Sequence, residues 1–112
     1  MTEAQAELDM QLMRAAATHA AGVLRTLGNP DRLLLLCQLS QGELCVSDLE
    51  VQVGVHQPNL SQQLGVLRRE GLVATRREGK HIFYRIGDQR VLGLLQTLYL
   101  LFCGPQEENT HE

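Results

Sequence analysis

Two consecutive features of the sequence predict a mainly α-helical fold with one small β-hairpin. Residues 46–71 have the pattern of a short helix, a glycine turn and a longer helix, and residues 72–86 have the pattern of two strands joined by a tight turn. This order of elements predicts a winged helix-turn-helix. The 112 residues are enough for one such domain, with residues 1–6 and 105–112 expected to be flexible tails.

Three helices are expected before this motif. The first covers about residues 7–19 and has one apolar face, and Gly22 is expected to separate it from a short helix that stops at Gly28. Pro30 suits the first turn of the third helix, which continues to Gly42. Because this third helix is apolar almost all round, it is predicted to be central and buried.

The helix-turn-helix itself begins with Ser47, which is expected to cap its first helix in a capping box with Glu50, and Gly54 ends that helix. Pro58 lies near the start of the second helix, where leucines recur in a buried stripe: Leu60, Leu64 and Leu67. The opposite face carries amides and a hydroxyl: Gln57, Asn59, Ser61, Gln62 and Gln63. Such side chains can bond base edges in the major groove, although a solvated polar face would have the same pattern.

The predicted hairpin turns at Glu78-Gly79 and carries cations near its tip: Arg76, Arg77, Lys80 and His81. They are expected to contact DNA phosphates, as is Arg68 at the end of the preceding helix, unless Arg68 only stabilises that helix terminus. The net charge of −3 does not exclude DNA binding, because acidic residues concentrate at both ends of the chain. Residues 56–90 hold seven Arg or Lys against three Asp or Glu.

The last predicted helix has Asp88 as its N-cap, reaches Cys103 and ends at Gly104-Pro105. This helix carries more apolar side chains than one small domain can bury. We therefore predict that the first and last helices form the seam of a homodimer. Two-fold symmetry also suits double-stranded operator DNA with two half-sites.

Composition predicts a cytoplasmic protein with no membrane partner. The acidic start leads into no apolar run of signal-peptide length, and the longest aliphatic block, residues 33–37, is too short to span a bilayer. Three cysteines, an odd number without framework spacing, argue against a secreted disulfide scaffold.

Four segments in order resemble the ArsR (ArsR/SmtB) family: Leu-Gly-Asn-Pro-Asp-Arg, Glu-Leu-Cys-Val, Leu-Ser-Gln-Gln-Leu and Arg-Glu-Gly-Lys. The resemblance extends over nearly all of residues 20–103. It implies a homodimeric repressor that leaves its operator when an inducer binds. The resemblance alone leaves the inducer open.

The cysteines indicate the class of inducer. Arsenic sensors of the family have Cys-Val-Cys-Asp-Leu where this chain has Cys-Val-Ser-Asp-Leu from Cys45 onward, and zinc sensors use histidines on a last helix that here has none. Cys45 together with Cys103 resembles the BigR/SqrR subgroup. That resemblance implies sensing of persulfide or polysulfide by this thiol pair, without a metal or cofactor. Cys45 also precedes a helix N-terminus, which favours a reactive thiolate.

Three alternatives stay open. Both thiols of the pair can be inert core residues. Arsenite or antimonite can be the inducer, with Cys37 as the obvious third thiolate, although Cys37 lies in the most apolar helix and is expected to be a core residue. A small thiol enzyme is the least favoured, because the chain has neither Cys-x-x-Cys nor a partnered Cys-His sequence.

Overall fold

A computed structural model describes residues 2–104 as five helices and a three-stranded antiparallel sheet. The elements are α1 (Glu3–Leu27), α2 (Pro30–Leu39), β1 (Leu44–Cys45), α3 (Val46–Val53), α4 (Asn59–Arg69), β2 (Val73–Glu78), β3 (His81–Ile86) and α5 (Gln89–Cys103). Helices α3 and α4 form the helix-turn-helix, and the β2–β3 hairpin is the wing. The predicted fold class is confirmed. The predicted tail at 105–112 lies outside the described residues.

Helix α1 is a single helix of 25 residues, so the predicted break at Gly22 is wrong. One glycine inside a helix costs only about 1 kcal/mol relative to alanine, which the rest of this alanine-rich helix can offset. The side chain of Thr2 accepts a hydrogen bond from the Gln5 amide and caps the helix. Residues 3–6, expected in a tail, are therefore helical.

The short strand β1 was not predicted from the sequence. Leu44 and Cys45 pair antiparallel with Tyr84 and Phe83 of β3. Two residues are too few to show a strand period, so only the tertiary pairing defines them. Because β1 leads directly into α3, Cys45 rather than Ser47 is the N-cap residue of α3.

The predicted capping box is therefore wrong. The Ser47 hydroxyl lies 3.3 Å from the Cys45 sulfur and makes no cap bond. The Glu50 carboxylate reaches forward across the glycine turn and lies 3.3 Å from both His56 Nδ1 and the backbone nitrogen of Gln57. It holds the loop between α3 and α4 instead of the start of α3.

The wing has Glu78 paired with His81, so its turn is Gly79-Lys80, one residue later than predicted. Gly79 has a φ of +63°, a conformation that glycine adopts without the steric cost of a side chain. Lys80 therefore sits at the tip of the wing.

The core joins α2 to the motif helices and α5. Leu35, Leu36 and Leu39 are buried, which confirms α2 as the central helix, although Leu34 is 53% exposed. The predicted α4 stripe is also confirmed, since all three of its leucines are buried. Asp88 caps α5 as predicted, with its side chain accepting from the Arg90 amide. Across residues 2–104, no helix is long and apolar enough to cross a membrane.

Candidate functional site

The outer face of α4 presents polar and basic side chains to solvent. Gln57, Ser61 and Arg68 are exposed and follow each other at i, i+4 and i+11, which places them on one side of the helix axis. Gln62 is exposed beside them. This face has the donors and acceptors, and the open position, that a helix needs to enter a major groove.

Gln57 also has a structural role at the start of α4. Its side-chain oxygen accepts a hydrogen bond of 3.0 Å from the Ser61 backbone amide. The N-cap residue Pro58 makes no side-chain cap bond, so Gln57 satisfies an otherwise unpaired amide of the first turn. Its side-chain Nε2 remains available for a base or phosphate.

Asn59 and Gln63 belong to the inner face of α4, turned towards α2. The Asn59 amide nitrogen donates to Asp31 Oδ2 at 2.8 Å, and the Gln63 amide oxygen accepts from Arg32 Nη1 at 3.0 Å. Both side chains are half-buried. Of the five side chains predicted to contact bases, three are exposed to solvent, whereas Asn59 and Gln63 form hydrogen bonds with α2.

The cations of the wing differ in whether they form ion pairs with other residues of the protein. Among residues 2–104, neither Arg77 nor Lys80 pairs with a carboxylate, and both are exposed. His81 is exposed too, with its ring edge-on to Phe83. These three side chains surround the tip of the wing, where a phosphate backbone can reach them.

Arg76 is also exposed, but its guanidinium is paired with other groups of the protein. Its guanidinium lies 2.7 Å from the Glu43 carboxylate and stacks over the Phe83 ring at 4.5 Å. The hydrogen bond from Arg76 lowers the pKa of Glu43, and the charges of Arg76 and Arg85 lower it further. Sequence reasoning missed Glu43, because it is separated from the wing by more than thirty residues and reaches Arg76 only through the β1–β3 pairing.

The cysteines lie in two separate environments. Cys37 is half-buried on α2 and lines a cleft of about 660 Å³ between α2, the end of α3 and α5. Leu95 and Tyr99 of α5 line the same cleft, and Cys103 follows them at the same four-residue spacing. Burial raises the pKa of Cys37, and the negative charge of Cys103 raises it further. Cys103 lies one helical turn beyond Tyr99, at the end of α5 that borders this cleft.

Cys45 lies elsewhere. It is only 7% exposed, it pairs with Phe83 in the sheet, and its sulfur contacts the Ser47 hydroxyl. The predicted pairing of Cys45 with Cys103 stays a prediction, since all three thiols are free in this single chain. The thiol whose cleft is lined by α5, one turn before Cys103, is Cys37, for which the sequence predicted a core role. Within the same residues, no group of three or more His, Cys, Asp or Glu could hold a metal ion.

Comparison with known proteins agrees with this architecture. The family described as bacterial regulatory protein, arsR family, matches residues 29–75, from the start of α2 into β2. The biofilm growth-associated repressor of Agrobacterium fabrum is 48% identical over 101 residues, which cover 90% of this chain and 86% of that protein. The chain belongs to the ArsR family.

Solved structures of ArsR-like proteins superpose well on this one. The transcriptional repressor BigR from Xylella fastidiosa does so with a TM-score of 0.80 at 47% identity, covering 86% of this chain and 98% of that one. The homodimeric winged helix-turn-helix DNA-binding domain Mb0332 from Mycobacterium bovis gives a TM-score of 0.73 at 30% identity, covering 89% and 91%. The winged helix-turn-helix architecture is therefore shared along most of the chain.

The two neighbouring thiols of this ArsR-family protein should react at different rates. We expect iodoacetamide at neutral pH to label the exposed Cys103 faster than the half-buried Cys37, because burial limits access to Cys37 and its raised pKa lowers its thiolate fraction. The rate at Cys37 should still rise with pH above 9.0, its reference value, because its folded pKa is raised. Time-resolved peptide mass spectrometry measures both rates. Equal rates at neutral pH would contradict the assigned environments.

Proposed function

We propose that this protein is a homodimeric transcriptional repressor that leaves its operator when reactive sulfur joins Cys37 to Cys103. The observation that carries the proposal is the cleft that Cys37 shares with Tyr99 and Leu100 of α5, about one helical turn before Cys103, in an ArsR-family regulator. The close similarity to proteins named as repressors supports repression as the outcome of DNA binding. A repressor of this kind works in the cytoplasm, which is the predicted location.

Operator binding uses the outer face of α4 and the tip of the wing. Gln57, Ser61 and Gln62 supply hydrogen-bonding groups for base edges. Arg68, Arg77, Lys80 and His81 supply positive charge for phosphates. Exposure of these side chains supports the assignment.

A second copy of the chain covers the first and last helices. Both helices expose large apolar side chains that the single chain leaves in water: Leu8, Leu12, Met13, Leu100, Leu101 and Phe102. Contiguous exposed apolar surface typically marks an interface. The homodimeric state of the similar Mb0332 domain supports the same conclusion for this chain.

The sensing reaction begins at Cys103, whose thiol is exposed. Its thiolate attacks the outer sulfur of an organic persulfide RSSH, so that the S–S bond of the persulfide breaks, RS⁻ leaves and Cys103 becomes a persulfide. The Cys37 thiolate then attacks the inner sulfur of that group, which forms a Cys37–Cys103 disulfide and releases HS⁻. If both cysteines are persulfidated first, their condensation gives a trisulfide and releases H₂S.

The bridge acts on DNA binding through α2 and α5. It ties the end of α5, in the proposed dimer seam, to the helix that packs against α4. Tying these elements changes the spacing of the two recognition helices, which must match successive half-sites. A coupling free energy of about 1 to 3 kcal/mol is sufficient to change operator occupancy.

A metalloid is the second candidate inducer, since neighbouring thiolates such as Cys37 and Cys103 also suit arsenite or antimonite. The third sulfur of such a site would have to come from Cys45, which faces the sheet and Ser47. Membership of a family of regulatory proteins points away from an enzyme.

The test is a titration of the protein against labelled operator DNA by fluorescence anisotropy, in three states. The reduced protein should bind, polysulfide treatment should weaken binding at least about tenfold, and dithiothreitol should restore it. Arsenite should have less than about a twofold effect. Release by arsenite but not by polysulfide would overturn the proposal and would identify a metalloid as the inducer.

Substitutions of the wing cations should differ in how they change the salt dependence of DNA affinity. Lys80→Ala and Arg77→Ala should each reduce the slope of log affinity against log salt by about one, since each removes a phosphate contact. Arg76→Ala should change that slope by less than about half as much, because Glu43 and Phe83 hold its guanidinium. Arg14→Ala on α1 is the control for loss of one positive charge. A slope change at Arg76 equal to that at Lys80 would contradict the distinction.

A further inference from the structure

Four side chains form a polar ring between the start of α2 and the start of α4, in which three hydrogen bonds join the side chains and the α2 backbone between Asp31 and Arg32 closes the ring. Asp31 and Arg32 are adjacent on α2, and Asn59 and Gln63 lie one turn apart on α4. Arg32 donates to the Gln63 oxygen at 3.0 Å, Gln63 donates to the Asn59 oxygen at 2.8 Å, and Asn59 donates to the Asp31 carboxylate at 2.8 Å. The hydrogen bonds thus run in one direction, from a cation through two amides to an anion.

The ring is anchored to a third helix. Arg32 Nε donates to the Thr26 carbonyl oxygen near the end of α1 at 2.7 Å, and the Arg32 amide donates to the Asn29 side chain that caps α2. All four ring residues are half-buried. Bonds to charged groups at both ends are stronger than bonds between neutral groups, and chained bonds polarise one another. The ring therefore restricts how α4 can rotate and slide on α2.

We propose that this ring is the positioning device for the recognition helix, and that Asn59 and Gln63 set operator affinity by orienting α4 rather than by reading bases. Each amide has its oxygen and at least one amide hydrogen committed within the protein, whereas Ser61 and Gln62 face outward on the same helix. Loss of the ring should weaken binding by a similar factor for every operator sequence. Loss of a base contact would instead relax the preference at one base pair.

The proposal rests on operator binding by α4, and it can be tested by exchanging two side chains. Asn59→Asp removes the donor to Asp31 and sets two carboxylates against each other. Adding Asp31→Asn restores a donor on the opposite side, so the D31N/N59D protein keeps every bond of the ring with one bond reversed. Both positions lie in the first turn of a helix, and the interaction with the helix dipole is therefore also retained.

We expect N59D to weaken binding at least about tenfold on every single-base variant of the operator, and D31N/N59D to recover to within about threefold of the original protein. D31N alone should have a small effect, because asparagine can still accept from Asn59. D48N/N59D is the control: it has the net charge of the exchanged protein but keeps the two facing carboxylates, so it should stay weak. Affinities are compared at a temperature where thermal melts show every variant to be folded.

Hydrogen exchange of the α4 amides tests the ring without DNA. Exchange should be faster in N59D and return to the original rate in D31N/N59D. Failure of D31N/N59D to recover both exchange and affinity would overturn the proposal, as would a change of preference at a single base pair in N59D. If the original protein does not bind the operator at all, the proposed function fails, whereas the exchange data still decide whether the ring holds α4.

Discussion

Cys37→Ser and Cys103→Ser proteins are each expected to stay on the operator after polysulfide treatment, with less than about a twofold change in affinity. Serine is close to cysteine in size but cannot form a sulfur bridge, so either substitution removes the link between α2 and α5. Both reduced variants should bind the operator within about threefold of the original protein, because neither thiol belongs to the DNA-facing surface. Fluorescence anisotropy before and after polysulfide measures the effect.

Cys45→Ser is the matched control for this pair of variants. It makes the same chemical change at a thiol that contacts Ser47 and the sheet, and it should retain release of at least about tenfold by polysulfide. A thermal melt records any loss of stability from placing a hydroxyl at this buried position. If Cys45→Ser abolished release while Cys37→Ser did not, the pairing predicted from the sequence would replace the pairing proposed from the structure.

Leu12→Glu is expected to convert the dimer to a monomer and to weaken operator binding by more than about a hundredfold. Leu12 is 62% exposed in the single chain. Burying a leucine typically contributes about 1.5 to 3 kcal/mol, and an isologous interface loses that contribution twice and also acquires two buried charges. Analytical ultracentrifugation gives the oligomeric state, and the operator titration gives the affinity.

Thr18→Glu is the control for this substitution. It introduces the same charge on the same helix, but Thr18 lies away from the stripe that contains Leu8 and Leu12. The Thr18→Glu protein should remain a dimer that binds the operator normally. A dimeric Leu12→Glu protein would contradict the proposed seam, and dissociation by both variants would show only a general sensitivity of α1 to charge.

Local sequence signals were sufficient for the elements that carry a strong period or a cap. The leucine stripe of α4, the Asp88 cap of α5 and the two strands of the wing around a glycine turn are all readable over short windows, because local residue types and spacing produce them. The wing turn was displaced by one residue, since Glu78-Gly79 and Gly79-Lys80 are both acceptable turn sequences and only the strand register distinguishes them.

Features that depend on distant contacts could not be predicted in this way. Strand β1 exists through its pairing with β3, and this pairing makes Cys45 the cap position and leaves Ser47 without that role. Asn59 and Gln63 have the same amide chemistry as Gln62, but the position of α2 decides which of them face inward. Cys37 lies in an aliphatic run of the sequence, and only the packing of α5 beside α2 places it in a cleft that the last turns of α5 line.

The most direct test of the proposed sensing pair is peptide mapping of the polysulfide-treated protein. Trypsin cannot separate Cys37 from Cys45, because no Lys or Arg lies between Arg32 and Arg68, but a glutamate-specific protease cuts after Glu43. The proposal predicts that residues 8–43 are linked to residues 79–107 by two or more sulfur atoms, and that dithiothreitol separates them. A link between residues 44–50 and 79–107, or operator release without any link to residues 8–43, would contradict it.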